Sequence, residues 1–162
     1  MYKFLKLVLA LGFVSILGAC STTSDTNKVA SVDVTGQGMG YDPINDPKTI
    51  VYGKRSIYFD FDSYKVKPEY QSVVEAHAKY LRENKDAKAN IAIQGNTDER
   101  GTTEYNLALG QKRSEAVKKS LSLLGVDQTQ IETVSFGKEK PKTAGSNEEA
   151  WKENRRADIV YK

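Results

Sequence analysis

Ile91-Ala92-Ile93-Gln94-Gly95-Asn96-Thr97-Asp98-Glu99-Arg100-Gly101-Thr102 joins two kinds of hydrophobic pattern. Ile91 to Gln94 reads as a short strand that Gly95 brings to an end. From Thr103 to Leu124 the apolar residues Leu109, Ala116, Val117, Leu121 and Leu124 recur at helical spacing, and Gly125 supplies the stop. Between the two lies a polar loop, Gly95 to Gly101, bracketed by glycines. Free N–H groups where a strand hands over to a helix favour a carboxylate or phosphate. Most such loops are nevertheless plain solvated turns.

Working outward, Ser56 to Phe61 reads as a first strand, rich in aromatic and β-branched residues. Pro68 suits the first turn of a helix to about Asn84, whose Tyr70, Val73, Val74, His77 and Leu81 form one stripe. Ile131 to Phe136 is a third strand, and Gly137 to Pro141 breaks it. A short helix over Asn147–Glu153 precedes a last strand, Ala157 to Tyr161. The order β-α-β-α-β-(α)-β predicts an α/β fold with helices packed on one face of a small sheet.

The amino-terminal third is of another kind. Residues 1–6 carry two lysines, and residues 7–17 are an uncharged run of 11, apolar but for Ser15. At 1.5 Å per residue the run spans about 16 Å, half of a ~30 Å hydrocarbon core. That length suits a signal peptide over residues 1–19 and not a membrane-spanning helix. The sequence Leu17-Gly18-Ala19-Cys20 resembles the lipobox of bacterial lipoproteins, in which the Cys is lipidated and becomes the new amino terminus. Several acyl chains on Cys20, at ~0.8 kcal/mol per buried CH₂, would anchor the chain durably. Residues 21–48, rich in Ser, Thr, Asp, Asn, Gly and Pro, read as a linker with a coil span of about 30 Å. The domain plan is thus 1–19, 20–48 and 49–162. The GQGMG at 36–40 neither follows a strand nor opens a helix, so it is not a phosphate loop.

Composition narrows the function. Apolar residues make up 39% of the 162, enough for a core, and charged residues 28%. With one Cys and one His, a disulfide framework is excluded and a zinc site has no ligand set. Without Lys3 and Lys6 the chain has 22 basic and 21 acidic side chains, so no nucleic-acid footprint exists.

Four places hold candidate chemistry. Arg113 lies four residues after Leu109 and four before Val117, on the apolar stripe of the long helix, with Asn106 on the same face. A buried Arg requires a carboxylate partner or an anionic ligand. Asp98 is the nearest candidate, and snorkelling of the Arg stem is the equal alternative. Asp60 and Asp62 straddle Phe61 on a strand, so their Cα atoms would sit about 7 Å apart on one face. That spacing admits a glycosidase acid–base pair or two strand-end residues. His77, on the apolar face of its helix, reads as a satisfied core histidine. Trp151 reads as a plug over the sheet, and Arg155-Arg156 as either a solvated face or the border of an anionic site.

Taken together, these segments resemble the peptidoglycan-associated lipoproteins of Gram-negative bacteria, a family with an OmpA-like C-terminal domain. The resemblance rests on the lipobox, on Tyr58-Phe59-Asp60-Phe61-Asp62, on Gly95 to Thr102, and on Glu104 to Gly110. Val134 to Pro141 and Asn154-Arg155-Arg156-Ala157 extend it, so that it covers about residues 50–162 and the signal. It implies a two-layer sandwich on a mixed four-stranded sheet that binds peptidoglycan through meso-diaminopimelate, without catalysis and without a cofactor. Asp98 and Arg113 match family positions that hold the ligand's ammonium and carboxylate. Phe61 and Asp62 match positions whose backbone meets the carboxylate, and Arg100 and Asn106 match positions lining the pocket. The resemblance also implies an outer-membrane anchor at Cys20, a periplasmic domain, and partners in the Tol-Pal system, TolB above all, in envelope integrity and cell division. Ser21 after the Cys leans towards the outer membrane. The alternatives are a peptidoglycan hydrolase using Asp60 and Asp62, and an OmpA-like scaffold outside the Tol system.

Overall fold

Alternation along Ile91–Asn96 turns Ile91 and Ile93 to one side, and both are fully buried there. This strand is β2 in the computed structural model, which describes residues 42–84 and 89–162. The signal segment, Cys20 and residues 21–41 lie outside the described residues, as do residues 85–88. β1 (Ser56–Tyr58), β3 (Ile131–Gly137) and β4 (Arg156–Tyr161) complete a sheet of order β1-β4-β2-β3. β4 runs antiparallel to both β1 and β2, and β3 runs parallel to β2. The sheet is therefore mixed, as the resemblance implies.

The helices are α1 (Ile50–Gly53), α2 (Gln71–Glu83), α3 (Thr103–Leu123) and α4 (Glu148–Asn154). α2 and α3 cover one face of the sheet. Val74, Ala78 and Leu81 of α2 and Val117 and Leu121 of α3 pack into the cluster formed by Ile57, Ile91, Ile93, Ile131 and Ile159. The other face is polar, with Ser56 Oγ donating to Asp158 at 2.7 Å and Lys140 Nζ donating to Gln94 at 3.0 Å. The architecture is a two-layer α/β sandwich. At the end of α3, Val126 N–H bonds the Leu121 carbonyl and Gly125 N–H that of Ser122, with Gly125 at φ 86°. That is the Schellman stop the glycine predicts.

Several elements differ from the sequence reading. Pro68–Tyr70 is a 3-10 turn, and the α-helical part starts only at Gln71. Residues 42–48, assigned by composition to the linker, are folded. Asp42 caps a 3-10 turn over Pro43–Asn45 and accepts from the Tyr80 hydroxyl at 2.8 Å, while Arg55 donates to the Ile44 carbonyl at 2.8 Å. These anchors come from residues far along the chain, which local composition cannot register. β1 stops at Tyr58, three residues early, because the chain turns at Asp60–Ser63 with Asp62 at φ 52°. Gly95 does not end β2, which runs on to Asn96.

His77 is the expected core histidine. Its Nε2–H donates to the Lys54 carbonyl at 2.9 Å and its Nδ1 accepts from the Tyr161 hydroxyl at 2.7 Å.

Candidate ligand-binding site

Gly95 and Gly110 let α3 lie backbone-to-backbone on β2. A Cβ at Gly95 would fall 1.8 Å from the Gly110 carbonyl oxygen. The close approach fixes the height of the helix, and Arg113 and Asn106, about one turn to either side, land over the end of β2. There the β2–β3 register slips, Asn96 pairing with Gly137, and the chain leaves the sheet as Thr97-Asp98. Thr97 N–H bonds the Gly137 carbonyl at 2.8 Å. Two side chains then hold the loop: Asn106 Nδ2 donates to the Arg100 carbonyl at 2.7 Å, and Lys138 Nζ to that of Gly101 at 2.9 Å. Thr102 caps α3 by accepting from Tyr105 N–H.

Between this loop, the turn after β1 and the first turns of α3 opens a cavity of about 250 Å³. Phe61, Asp62, Asp98, Arg100, Asn106 and Arg113 all line it, together with Thr97, Gly101, Tyr105 and Leu109. The six residues singled out from the sequence thus come from three separate segments into one place. Tyr105, whose hydroxyl bonds Asp62, and Thr97 went unnoticed; Tyr105 sits one residue from Asn106 on the helix that was already suspect.

Arg113 is fully buried, and among the described residues no carboxylate pairs with it directly. Its guanidinium donates to three backbone carbonyls, Ser63 at 2.8 Å, Asn96 at 2.8 Å and Asp60 at 3.2 Å, and lies 5.2 Å from the centre of the Phe59 ring. Burial lowers its pKa to about 10, against the pull of Asp98. It stays charged at neutral pH, held by carbonyl dipoles in contact and by the more distant charges of Asp98 and Asp62. Such a site attracts an anion.

Asp98, equally buried, is the partner of other arginines. Arg100 grips it through Nε at 3.1 Å and Nη2 at 2.7 Å, and Arg155 Nη1 approaches at 3.5 Å. Burial raises the carboxyl pKa, but the side-chain and backbone bonds from Arg100 outweigh it and hold the group below its usual range. A direct Asp98–Arg113 pair, one of the two readings of the helix pattern, does not form. Arg100 in turn lies between two rings, 4.3 Å from the centre of Phe61 and 3.9 Å from that of Trp151.

Trp151 is therefore no core plug. It is half-buried at the rim, with Nε1 donating to Glu99 at 3.2 Å. Arg155 borders the site and also bonds Glu148 at 2.6 Å, whereas Arg156 faces the polar side of the sheet against Asp158. The acid–base reading of Asp60 and Asp62 loses its geometry, because neither residue is on a strand. Asp60 is exposed beside Lys67 at 3.7 Å, and Asp62 occupies the left-handed turn. Among the described residues no cluster of His, Cys, Asp or Glu is arranged for a metal, and no helix is long and apolar enough to cross a membrane.

Residues 58–155 match the OmpA family model. The chain is 42% identical to the peptidoglycan-associated lipoprotein of Haemophilus influenzae over 99% of this chain and 100% of that protein. The Pseudomonas putida protein of the same name is 38% identical over 97% and 95% of the two. Among solved structures, the crystal structure of the peptidoglycan-associated lipoprotein from Burkholderia pseudomallei is 59% identical, with a TM-score of 0.72 over 75% of this chain and 100% of that one. The C-terminal domain of Helicobacter pylori MotB shares the fold at 22% identity and a TM-score of 0.62. With the signature segments, the sandwich and these relatives in agreement, the chain belongs to the OmpA family and, within it, to the peptidoglycan-associated lipoproteins.

Proposed function

We propose that this chain is an outer-membrane lipoprotein, anchored through Cys20, whose periplasmic domain binds peptidoglycan non-covalently at the diaminopimelate of the stem peptide. The observation that carries the reading is the presence in one cavity of a buried Arg113, whose hydrogen bonds go to backbone carbonyls, and a buried Asp98. Diaminopimelate is zwitterionic, so it needs both signs of charge. Arg113, with the turn at Phe61 and Asp62, faces the carboxylate. Asp98 faces the ammonium, and Asn106 and Arg100 shape the wall. Charge-assisted hydrogen bonds contribute about 1.5–3 kcal/mol each. Three or four of them, after the cost of association, leave an affinity in the range of about 1 μM to 100 μM. That is enough for a tether acting on a polymer with many sites. Binding of this kind requires no bond to break. Partnership with TolB and the other Tol proteins, and a role in division, follow from the family and belong to the same proposal.

The test is a calorimetric titration of residues 21–162 with a diaminopimelate stem peptide and with its lysine analogue, which lacks the second carboxylate. Saturable binding to the first alone, abolished by Asp98→Ala and by Arg113→Ala, is the expected result. Equal binding to both peptides, or indifference to both substitutions, overturns the assignment of the site.

A further inference from the structure

The carboxylate that should receive the ligand's ammonium is already taken. Asp98 Oδ1 accepts from the Arg100 backbone N–H at 3.2 Å and from Nε at 3.1 Å, and Oδ2 accepts from Arg100 Nη2 at 2.7 Å and Arg155 Nη1 at 3.5 Å. A carboxylate has about four acceptor directions, and all are in use. The two arginines are not equivalent. Arg155 is buried, only 5% of its side chain exposed, and is further tied to the Phe59 carbonyl and Glu148. The Arg100 side chain is 34% exposed and makes its remaining contacts with ring faces, those of Phe61 and Trp151. One cation is fixed, the other removable.

From this we infer that Arg100 is an internal occupant of the ammonium position, a positioning residue that the ligand's own ammonium must displace, with Phe61 and Trp151 as the clamp that returns it. The inference rests on the diaminopimelate reading above and narrows it. Acidic groups stand at the rim, towards which the displaced guanidinium can turn. Glu99, held by Trp151 Nε1, and Glu148, held by Arg155 and 52% exposed, stand on that side, so Arg100 leaves Asp98 without losing all acidic neighbours. A ligand that brings only a carboxylate reaches Arg113 but leaves Asp98 closed. The same holds for a stem peptide whose diaminopimelate amine is acylated, since an amide carries no charge to offer. The ligand class is accordingly a stem peptide with a free diaminopimelate amine, the uncrosslinked form.

An internal occupant weakens apparent affinity by the fraction of time the site stands open. If Arg100 closes it about 90% of the time, the loss is about tenfold. The chain's one tryptophan is the clamp itself, which gives a direct signal. The experiment titrates the full chain, in mild detergent, with L-Ala-γ-D-Glu-meso-diaminopimelate and with the same tripeptide acylated on its free amine. Calorimetry and Trp151 fluorescence are followed in parallel. For the unaltered protein, a saturable change in emission should accompany the heat of binding, and the acylated peptide should produce neither. In Arg100→Gln the free tripeptide should bind about tenfold more tightly, with the emission change lost. Trp151→Leu, which loosens the clamp and leaves Asp98 and Arg100 in place, should tighten binding by a smaller factor, and it stands in for Arg100→Gln if that variant melts early. Binding that leaves Trp151 emission unmoved, or that is unchanged or weaker in both variants, overturns the displacement while the diaminopimelate reading survives. Absence of any heat with the unaltered protein overturns both.

Discussion

Gly95 and Gly110 touch through their backbones: a Cβ on the first would sit 1.8 Å from the carbonyl oxygen of the second, and a Cβ on the second 2.3 Å from Ser135 Oγ. The obstacle at Gly95 is main chain, which cannot rotate away. Gly95→Ala must therefore push α3 off the sheet, and a loss of about 3 kcal/mol in urea unfolding is expected. Gly110→Ala meets a hydroxyl first, but also the Gly95 carbonyl oxygen at 2.9 Å, and should cost less. Gly110→Ala combined with Ser135→Ala should recover part of that loss. An unchanged midpoint for Gly95→Ala would mean that the helix sits farther from β2.

Arg113 separates stability from recognition. Arg113→Ala strips three carbonyls of their donor and leaves a void, an expected loss of about 3 kcal/mol. Arg113→Lys keeps the positive charge without the planar fork. That variant should unfold closer to the unaltered protein yet bind stem peptide at least about tenfold more weakly. Parallel urea and calorimetric titrations distinguish the two effects.

Asn106 acts on the site through the loop. Its amide supports the Arg100 carbonyl at 2.7 Å, with the side chain almost wholly buried. Asn106→Ala should cost about 1–2 kcal/mol of stability and weaken the stem peptide several-fold, although Asp98 and Arg113 remain. Calorimetry showing full affinity would mean that the loop holds its shape without this bond.

His77 gives the domain a pH dependence of predictable sign. Burial depresses its pKa below 6.5, more than the Lys54 carbonyl raises it. Between the folded and unfolded pKa values the unfolded chain binds the extra proton, so stability is complete above about pH 6.5 and falls as the solution is acidified. Protonation would place a hydrogen on Nδ1 against the Tyr161 hydroxyl that now donates to it. Asp98, also depressed, enters only below about pH 4, in the ordinary carboxylate range. Urea midpoints at pH 7.5 and 5.5 should therefore differ in the unaltered protein, and His77→Gln should flatten the difference.

Most of the fold was legible in the sequence because its signals are local. The apolar recurrence and Gly125 place α3, and Pro68 and the apolar stripe place α2 within three residues. What escaped was decided at a distance. Gly95 looks like a breaker until Gly110 arrives on top of it. Residues 42–48 look like tether until Tyr80 and Arg55 take hold of them. In the site, Asp98, Asn106 and Arg113 were legible from one loop and one helix face; the resemblance added Arg100 and Phe61, and gave Asp62 a ligand-binding place in exchange for its acid–base reading. Trp151 reads locally as a core plug, and for Arg155 the border of an anionic site is only one of two readings, since only the folded chain brings α4 against that loop. The Asp98–Arg113 partnership was half right: the two share a cavity, but carbonyls and other arginines stand where a direct pair was one of the expectations.

The sheet order carries a consequence for biogenesis. β4 follows β1, β2 and β3 in sequence, yet lies between β1 and β2 and pairs with both. Until Arg156–Tyr161 are available, β1 has no neighbour, and the Ile91–Asn96 ladder is open along one side. The sheet therefore does not complete itself progressively behind a ribosome or a translocation pore, and β1 and β2 stay unjoined until Arg156–Tyr161 are delivered. For a chain whose opening residues read as an export signal, that delay is compatible with threading through a membrane. It also means that a product lacking Arg156–Tyr161 loses the middle of its sheet, and presents itself to proteases as an unfinished molecule.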